Sequence, residues 1–128
     1  MAVIFNAAIL CDDIRKEDNG KYIAIGIYSS NVVVGMFPVI SRYCLLMRAR
    51  MEGAHSETLK FRVLVDGAEV QRMEGFIEGT QPGEDWLPIV LQPIKLDVPA
   101  PLTLEQESSE GEWSEFFRIS VIRPPLTA

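Results

Sequence analysis

The sequence predicts an all-β fold: an antiparallel β-sandwich of eight or nine short strands, Ig-like or C2-like, in a single domain. Three observations carry that expectation. Apolar and polar residues alternate at period two through several stretches, as half-buried strands require. Turn signals, Asn19-Gly20 and Asp66-Gly67 foremost, separate those stretches. Eight Pro and nine Gly punctuate the chain so often that no stretch supports a long amphipathic helix.

The first expected strand is Val3 to Cys11, with Val3, Phe5, Ala7 and Ile9 on one face. A polar connection, Asp12 to Gly20, ends in Asn-Gly and returns the chain as a hairpin into Lys21 to Ser30. There Ile23, Ile25 and Ile27 share one face, and Tyr22, Ala24, Gly26 and Tyr28 share the other. Asn31 to Gly35 is a short apolar segment that Phe37-Pro38 breaks. Tyr43 to Glu52 sets Leu45, Met47, Ala49 and Met51 inward against Arg48, Arg50 and Glu52, and parity puts Cys44 on the partly exposed arginine face. Glu57 to Asp66 alternates again, with Leu59, Phe61, Val63 and Val65 against Lys60, Arg62 and Asp66, and Asp66-Gly67 turns it back.

Glu69 to Glu78 reads as a weaker strand and 79–86 as a loop. Leu87 to Val98 changes its apolar parity across Pro93, as an edge strand with a bulge does, or a strand that crosses between sheets. Leu102 to Glu107 and Phe116 to Arg123 flank the turn 108–111 as a last hairpin. The expected domain is 1–123, with a frayed tail at 124–128.

Composition narrows the function classes. With 18 acidic and 12 basic residues the net charge is −6 and the pI about 4.8, which argues against nucleic acid as a partner. No apolar run approaches the ~20 residues that span a bilayer, so no membrane partner is expected. No Lys or Arg precedes the apolar N-terminal stretch, so a secretory signal is not expected. Cys11 and Cys44, the only two cysteines, read as reduced thiols of a cytoplasmic protein rather than as a disulfide.

The constellations that carry catalysis are sparse. His55 is the only histidine. It could serve Ser56 or Cys44 as a base in a hydrolase or small-ligand site, but a turn histidine bonded to nearby backbone is the plainer reading. Two Cys and one His do not complete a structural zinc site, and the paired carboxylates Asp12-Asp13, Glu84-Asp85 and Glu110/Glu112 lack calcium-loop spacing. No glycine-rich phosphate loop opens a helix. No catalytic residue, cofactor or metal is therefore assigned.

The remaining candidates are surfaces. Arg48, Arg50, Lys60 and Arg62 are expected side by side on one outward face, paired with Glu52, Glu57 or Asp66. Trp86 and Trp113 sit beside acidic residues, where an exposed indole marks an interaction patch. Glu105, Glu107, Glu110, Glu112 and Glu115 would be gathered by a hairpin into an acidic rim. Residues 1–50 carry net +2 and residues 51–128 net −8, an asymmetry that could favour self-association.

One run of motifs resembles a known pattern. Ala8-Ile9-Leu10-Cys11-Asp12-Asp13, Asn19-Gly20-Lys21, Ile25-Gly26-Ile27-Tyr28 and Phe37-Pro38 follow one another as in an uncharacterised bacterial family of small β-sandwich proteins. Glu52-Gly53-Ala54-His55 and Val65-Asp66-Gly67 extend the resemblance through the middle, and it weakens after Trp86. The resemblance implies a sandwich and brings no catalytic residue, cofactor or partner. The sequence therefore points to a non-enzymatic protein-interaction or assembly module that binds a protein partner or itself. Alternatives are a structural component of a phage-like or secreted particle, and a ligand binder or hydrolase using His55.

Overall fold

The chain turns wherever the turn residues stand. In the computed structural model, which describes residues 3–125, β1 (Val3–Lys16) returns as β2 (Tyr22–Ile27) through Gly20 at φ 89°. β3 (Asn31–Val33) and β4 (Val39–Ser41) are three-residue strands that precede β5 (Cys44–Met51). β6 (His55–Val65) and β7 (Ala68–Gly79) form the next hairpin. Asp66 and Gly67 both take positive φ there, 53° and 78°, the geometry that matches a two-residue turn to the twist of its strands. β8 (Gly83–Val90), β9 (Ile94–Leu96), β10 (Ala100–Glu107) and β11 (Trp113–Ile122) complete the order.

Two main sheets and one small ribbon result. The first sheet is ordered β2-β1-β5-β8 and the second β3-β11-β10-β6-β7, while β4 and β9 pair alone. All pairings are antiparallel except β3 with β11. The eleven strands among the described residues exceed the eight or nine expected, because the expected strand 87–98 divides into β8 and β9 and β4 is too short to alternate visibly. Pro93 stands between two elements: β8 is an edge strand of the first sheet, and β9 crosses to pair with β4. The expected loop at 79–86 is shorter, since strand pairing already begins at Gly83. Of the expected tail, residues 126–128 lie outside the described residues.

The core lies between the inner faces. From the first sheet come Val3, Phe5, Leu10, Leu45 and Met47; from the second, Phe61, Val63, Leu102, Leu104 and Ile119. Phe5 meets Phe61 edge-on at 5.9 Å between ring centres and Phe116 at 5.4 Å, so three rings join the layers. The face expected for the first strand changes midway. A bulge between Phe5 and Ala7 shifts the parity, so Val3 and Phe5 are followed inward by Ala8 and Leu10 rather than by Ala7 and Ile9.

The turn of β2 toward the core depends on one glycine. Gly26 has φ 70° and faces the Asp12 side chain, whose Oδ1 accepts a 2.6 Å hydrogen bond from the Tyr28 hydroxyl. A Cβ on Gly26 would fall on the Asp12 carboxylate. Gly26→Ala is expected to lower unfolding free energy by about 2 kcal/mol, from left-handed strain plus displacement of Asp12. Urea denaturation measures this, and an unchanged midpoint would count against the assignment.

Candidate functional site

The four basic residues do not share a face. Arg48 and Arg50 stand on β5 in the first sheet, and Lys60 and Arg62 stand on β6 in the second. The expected basic strand pair is therefore corrected: β5 pairs with β1 and β8, and β6 with β7 and β10. The segment 52–54 is an arch between sheets, not a hairpin within one. An arch and a hairpin leave the same alternation in the sequence, because in both the apolar face looks inward.

Each of the four has a carboxylate beside it. Arg48 meets Glu84 at 3.2 Å, Arg50 meets Glu52 at 3.1 Å, Lys60 meets Glu74 at 3.7 Å, and Arg62 meets Glu105 at 2.6 Å. Of the expected partners only Glu52 takes that role. Glu57 instead accepts a 2.9 Å bond from the Val3 amide, tying β1 to β6.

The two tryptophans anchor these pairs, one on each sheet. Trp86 lies within β8 opposite Arg48, whose guanidinium sits 5.1 Å from the ring centre. Glu84 completes that group, held below the usual carboxylate range by hydrogen bonds from Arg48 and Asn6. Trp113 opens β11 and carries two arginines, Arg62 at 4.3 Å and Arg72 at 5.0 Å. Glu69 bonds both arginines, and its carboxyl is lowered chiefly by Arg72. Sequence reasoning missed Arg72, Glu69 and Glu84, because each lies across a strand pairing that only the fold defines.

The acidic rim is thinner than expected. Glu105 is engaged by Arg62 and Glu115 by Arg118 at 2.8 Å, which leaves Glu107, Glu110 and Glu112 around the β10–β11 turn. That turn is organised by Ser108, whose hydroxyl oxygen accepts from the Glu110 and Glu112 amides at 3.2 Å.

His55 sits half-buried at the start of β6. Its Nδ1 donates to the Gly53 carbonyl at 2.7 Å, which fixes the tautomer with hydrogen on Nδ1. Cys44 begins β5 and His55 follows its far end, so the length of β5, ~25 Å, separates them. The expected outward parity of Cys44 holds, but its partial exposure is corrected: it is buried against Cys11, its direct cross-strand partner. Both thiols are free. Among the described residues no three His, Cys, Asp or Glu side chains converge to hold a metal ion. No helix there is long and apolar enough to cross a membrane.

The outer face of the first sheet is apolar across all four strands. Ile27, Cys11, Cys44 and Val90 stand abreast on β2, β1, β5 and β8. Ile9, Leu46 and Pro88 form the next row, followed by Ala7, Arg48 and Trp86. At its margins Ile25 is 47% exposed, Ile27 54% and Val90 78%. Charged pairs frame it: Asp13–Arg15 beside β2, and Arg48–Glu84 and Arg50–Glu52 at the other end. The isoleucine alternation was visible in the sequence, but not which of its faces would be left outside.

These features define an all-β sandwich with two unlike outer faces, one apolar with a charged frame and one laced by ion pairs around Trp113. A family model described as a family of unknown function (DUF6941) matches residues 6–101, and the chain belongs to that family. The matched stretch runs from β1 to the start of β10, leaving the β10–β11 hairpin beyond it. No curated protein matches the chain.

Proposed function

We propose that the chain is a non-enzymatic protein-interaction or assembly module of the bacterial cytoplasm. The observation that carries this reading is the apolar outer face of the first sheet. The inner faces of both sheets already supply the core, and Ile25, Ile27 and Val90 lie outside it. Contiguous apolar surface framed by charge is the pattern of a protein-binding patch, with Trp86 as the residue type most enriched at binding hot spots. Two free thiols in the fold favour a reducing compartment.

The test is capture by the tagged full chain from its native lysate, alongside the native mass of the chain alone. The wild type is expected to recover a stoichiometric partner or to exceed monomer mass. Ile25→Glu with Val90→Glu should abolish that association while changing stability by no more than about 1 kcal/mol, since both sites are exposed. Association undiminished in the double variant would remove this face from the proposal. A wild type that is monomeric and recovers nothing would remove the module reading itself.

A further inference from the structure

The two sheets part between their edge strands β7 and β8, and a cleft of about 330 Å³ runs from that opening into the core. Its walls are apolar, with Phe5 and Met47 from the first sheet and Leu59 and Phe61 from the second. One residue leaves it open along β7. Gly75 shares the inward parity of Met73 and Ile77 on β7, and a Cβ built there meets no atom within 4 Å. The gap is closed at both ends. The short loop 80–82 joins the strands at one, and the Gln71 amide clamps the Gln92 backbone at the other, donating to its carbonyl at 2.6 Å and accepting its N–H at 3.1 Å.

We propose that this cleft receives an extended segment of another protein, alternating basic and apolar residues, which adds as a strand to the open edge of β7 between Met73 and Glu78. The proposal rests on the interaction-module reading but uses a different surface. Among the described residues β7 pairs only with β6, so its outer backbone groups are open to an incoming strand. The inward side chains of that strand would enter the space that Gly75 leaves. Its outward side chains would stand beside Glu74, exposed Phe76 and Glu78, where basic residues complement the carboxylates. Glu78 has no ion pair among the described residues, and Glu74 has only a loose one with Lys60 at 3.7 Å. An acyl chain would fill the apolar walls, but it would leave the β7 edge unbonded and bring its own carboxylate against these two. A second copy does not fit: of the edge strands of the two main sheets, β2, β3 and β8 carry no Lys or Arg and β7 carries only Arg72. In the ribbon β4 carries none, and Lys95 of β9 stands between Ile94 and Leu96, both buried in the core.

The probe is the acetylated, amidated peptide Lys-Val-Tyr-Leu-Lys-Val, titrated into the full chain by calorimetry. Binding is expected to weaken at least about tenfold in Gly75→Leu, which fills the cleft. Melting temperature in that variant should be unchanged or raised, because the added side chain enters open space. Glu74→Lys with Glu78→Lys, and a peptide N-methylated at alternate amides, should each weaken binding by a similar factor. No binding at about 1 mM peptide overturns the proposal, as does binding indifferent to Gly75→Leu. Binding indifferent to the charge reversal overturns the basic partner. Decanoate binding that depends on Gly75, with none by the peptide, makes the cleft a lipid site and overturns it too. If the wild type recovers the lysate partner but does not bind the peptide, this inference falls and the module reading stands.

Discussion

Gln106→Leu is expected to destabilise the fold by roughly 2–6 kcal/mol, more than any other single substitution proposed. Gln106 is 4% exposed on the inner face of β10, among leucines, where a glutamine is out of place unless bonded. Its Oε1 accepts from the Phe5 amide at 2.9 Å, and its Nε2 donates to the Val3 carbonyl at 3.0 Å. The side-chain amide thus acts as a piece of strand. The need arises in β1: β2 pairs with it only from Cys11 to Lys16, so the first half of β1 has no strand on that side. Leucine fills similar volume but leaves a buried N–H and a buried C=O unbonded, each worth about 1–3 kcal/mol. At about 4 °C per kcal/mol for a domain of this size, the melting temperature should fall by ~8–24 °C. A loss below about 0.5 kcal/mol in urea titration would show that the bridge between sheets holds nothing.

Residues with a local cause were legible in the sequence, and residues whose partners lie far along the chain were not. Asn19-Gly20 and Asp66-Gly67 dictate hairpins through backbone conformations that need no tertiary context, and both hairpins form. Pro93 stands between β8, which ends at Val90, and β9, which begins at Ile94, and the parity change across it did mark a crossing. The Phe5–Ala7 bulge has no such signal, since neither Asn6 nor its neighbours require it. The separation of Arg48 and Arg50 from Lys60 and Arg62 was also hidden. The choice between arch and hairpin at 52–54 is made by the burial of Leu45 and Met47 with Leu59 and Phe61 in one core cluster between the sheets. The cleft follows from the same kind of fact: Gly75 reads as a weak strand residue until its inward parity is known. Trp86 and Trp113 were legible as unusual residues, while the arginines stacked on them needed the strand register.

Raising the pH should destabilise the protein from about pH 9 upward, because four proton-bearing groups gather around Cys11 and Tyr28. Burial is the largest cause raising each of the Cys11 and Cys44 thiols above 9.0 and each of the Tyr28 and Tyr43 hydroxyls above 10.0. Asp12 pushes all four the same way, and the hydrogen bond it accepts from Tyr28 adds to the tyrosine shift. The two tyrosine rings meet edge-on at 5.6 Å, so charging one would disturb the other. The sign follows from proton linkage. Below about pH 8 both states keep these protons and stability does not depend on them. Above each unfolded value the unfolded chain binds fewer protons than the fold, so each group removes about 1.4 kcal/mol per pH unit. The thiols act first, near pH 9, and the tyrosines join near pH 10. Stability should therefore fall from that onset, each group's contribution ending where its folded form also loses the proton. Cys11→Ala with Cys44→Ala should flatten the loss between pH 8.5 and 10 but leave the steeper tyrosine limb above it. The comparison is one of slopes, so the cavities left by the missing thiols, which lower stability at every pH, do not enter. Denaturation midpoints that stay level from pH 8 to 10.5 in the wild type would mean that these groups ionise as freely folded as unfolded. The cluster would then have to be more open to water than the zero exposure of Cys11 and the 3% exposure of Tyr43 allow.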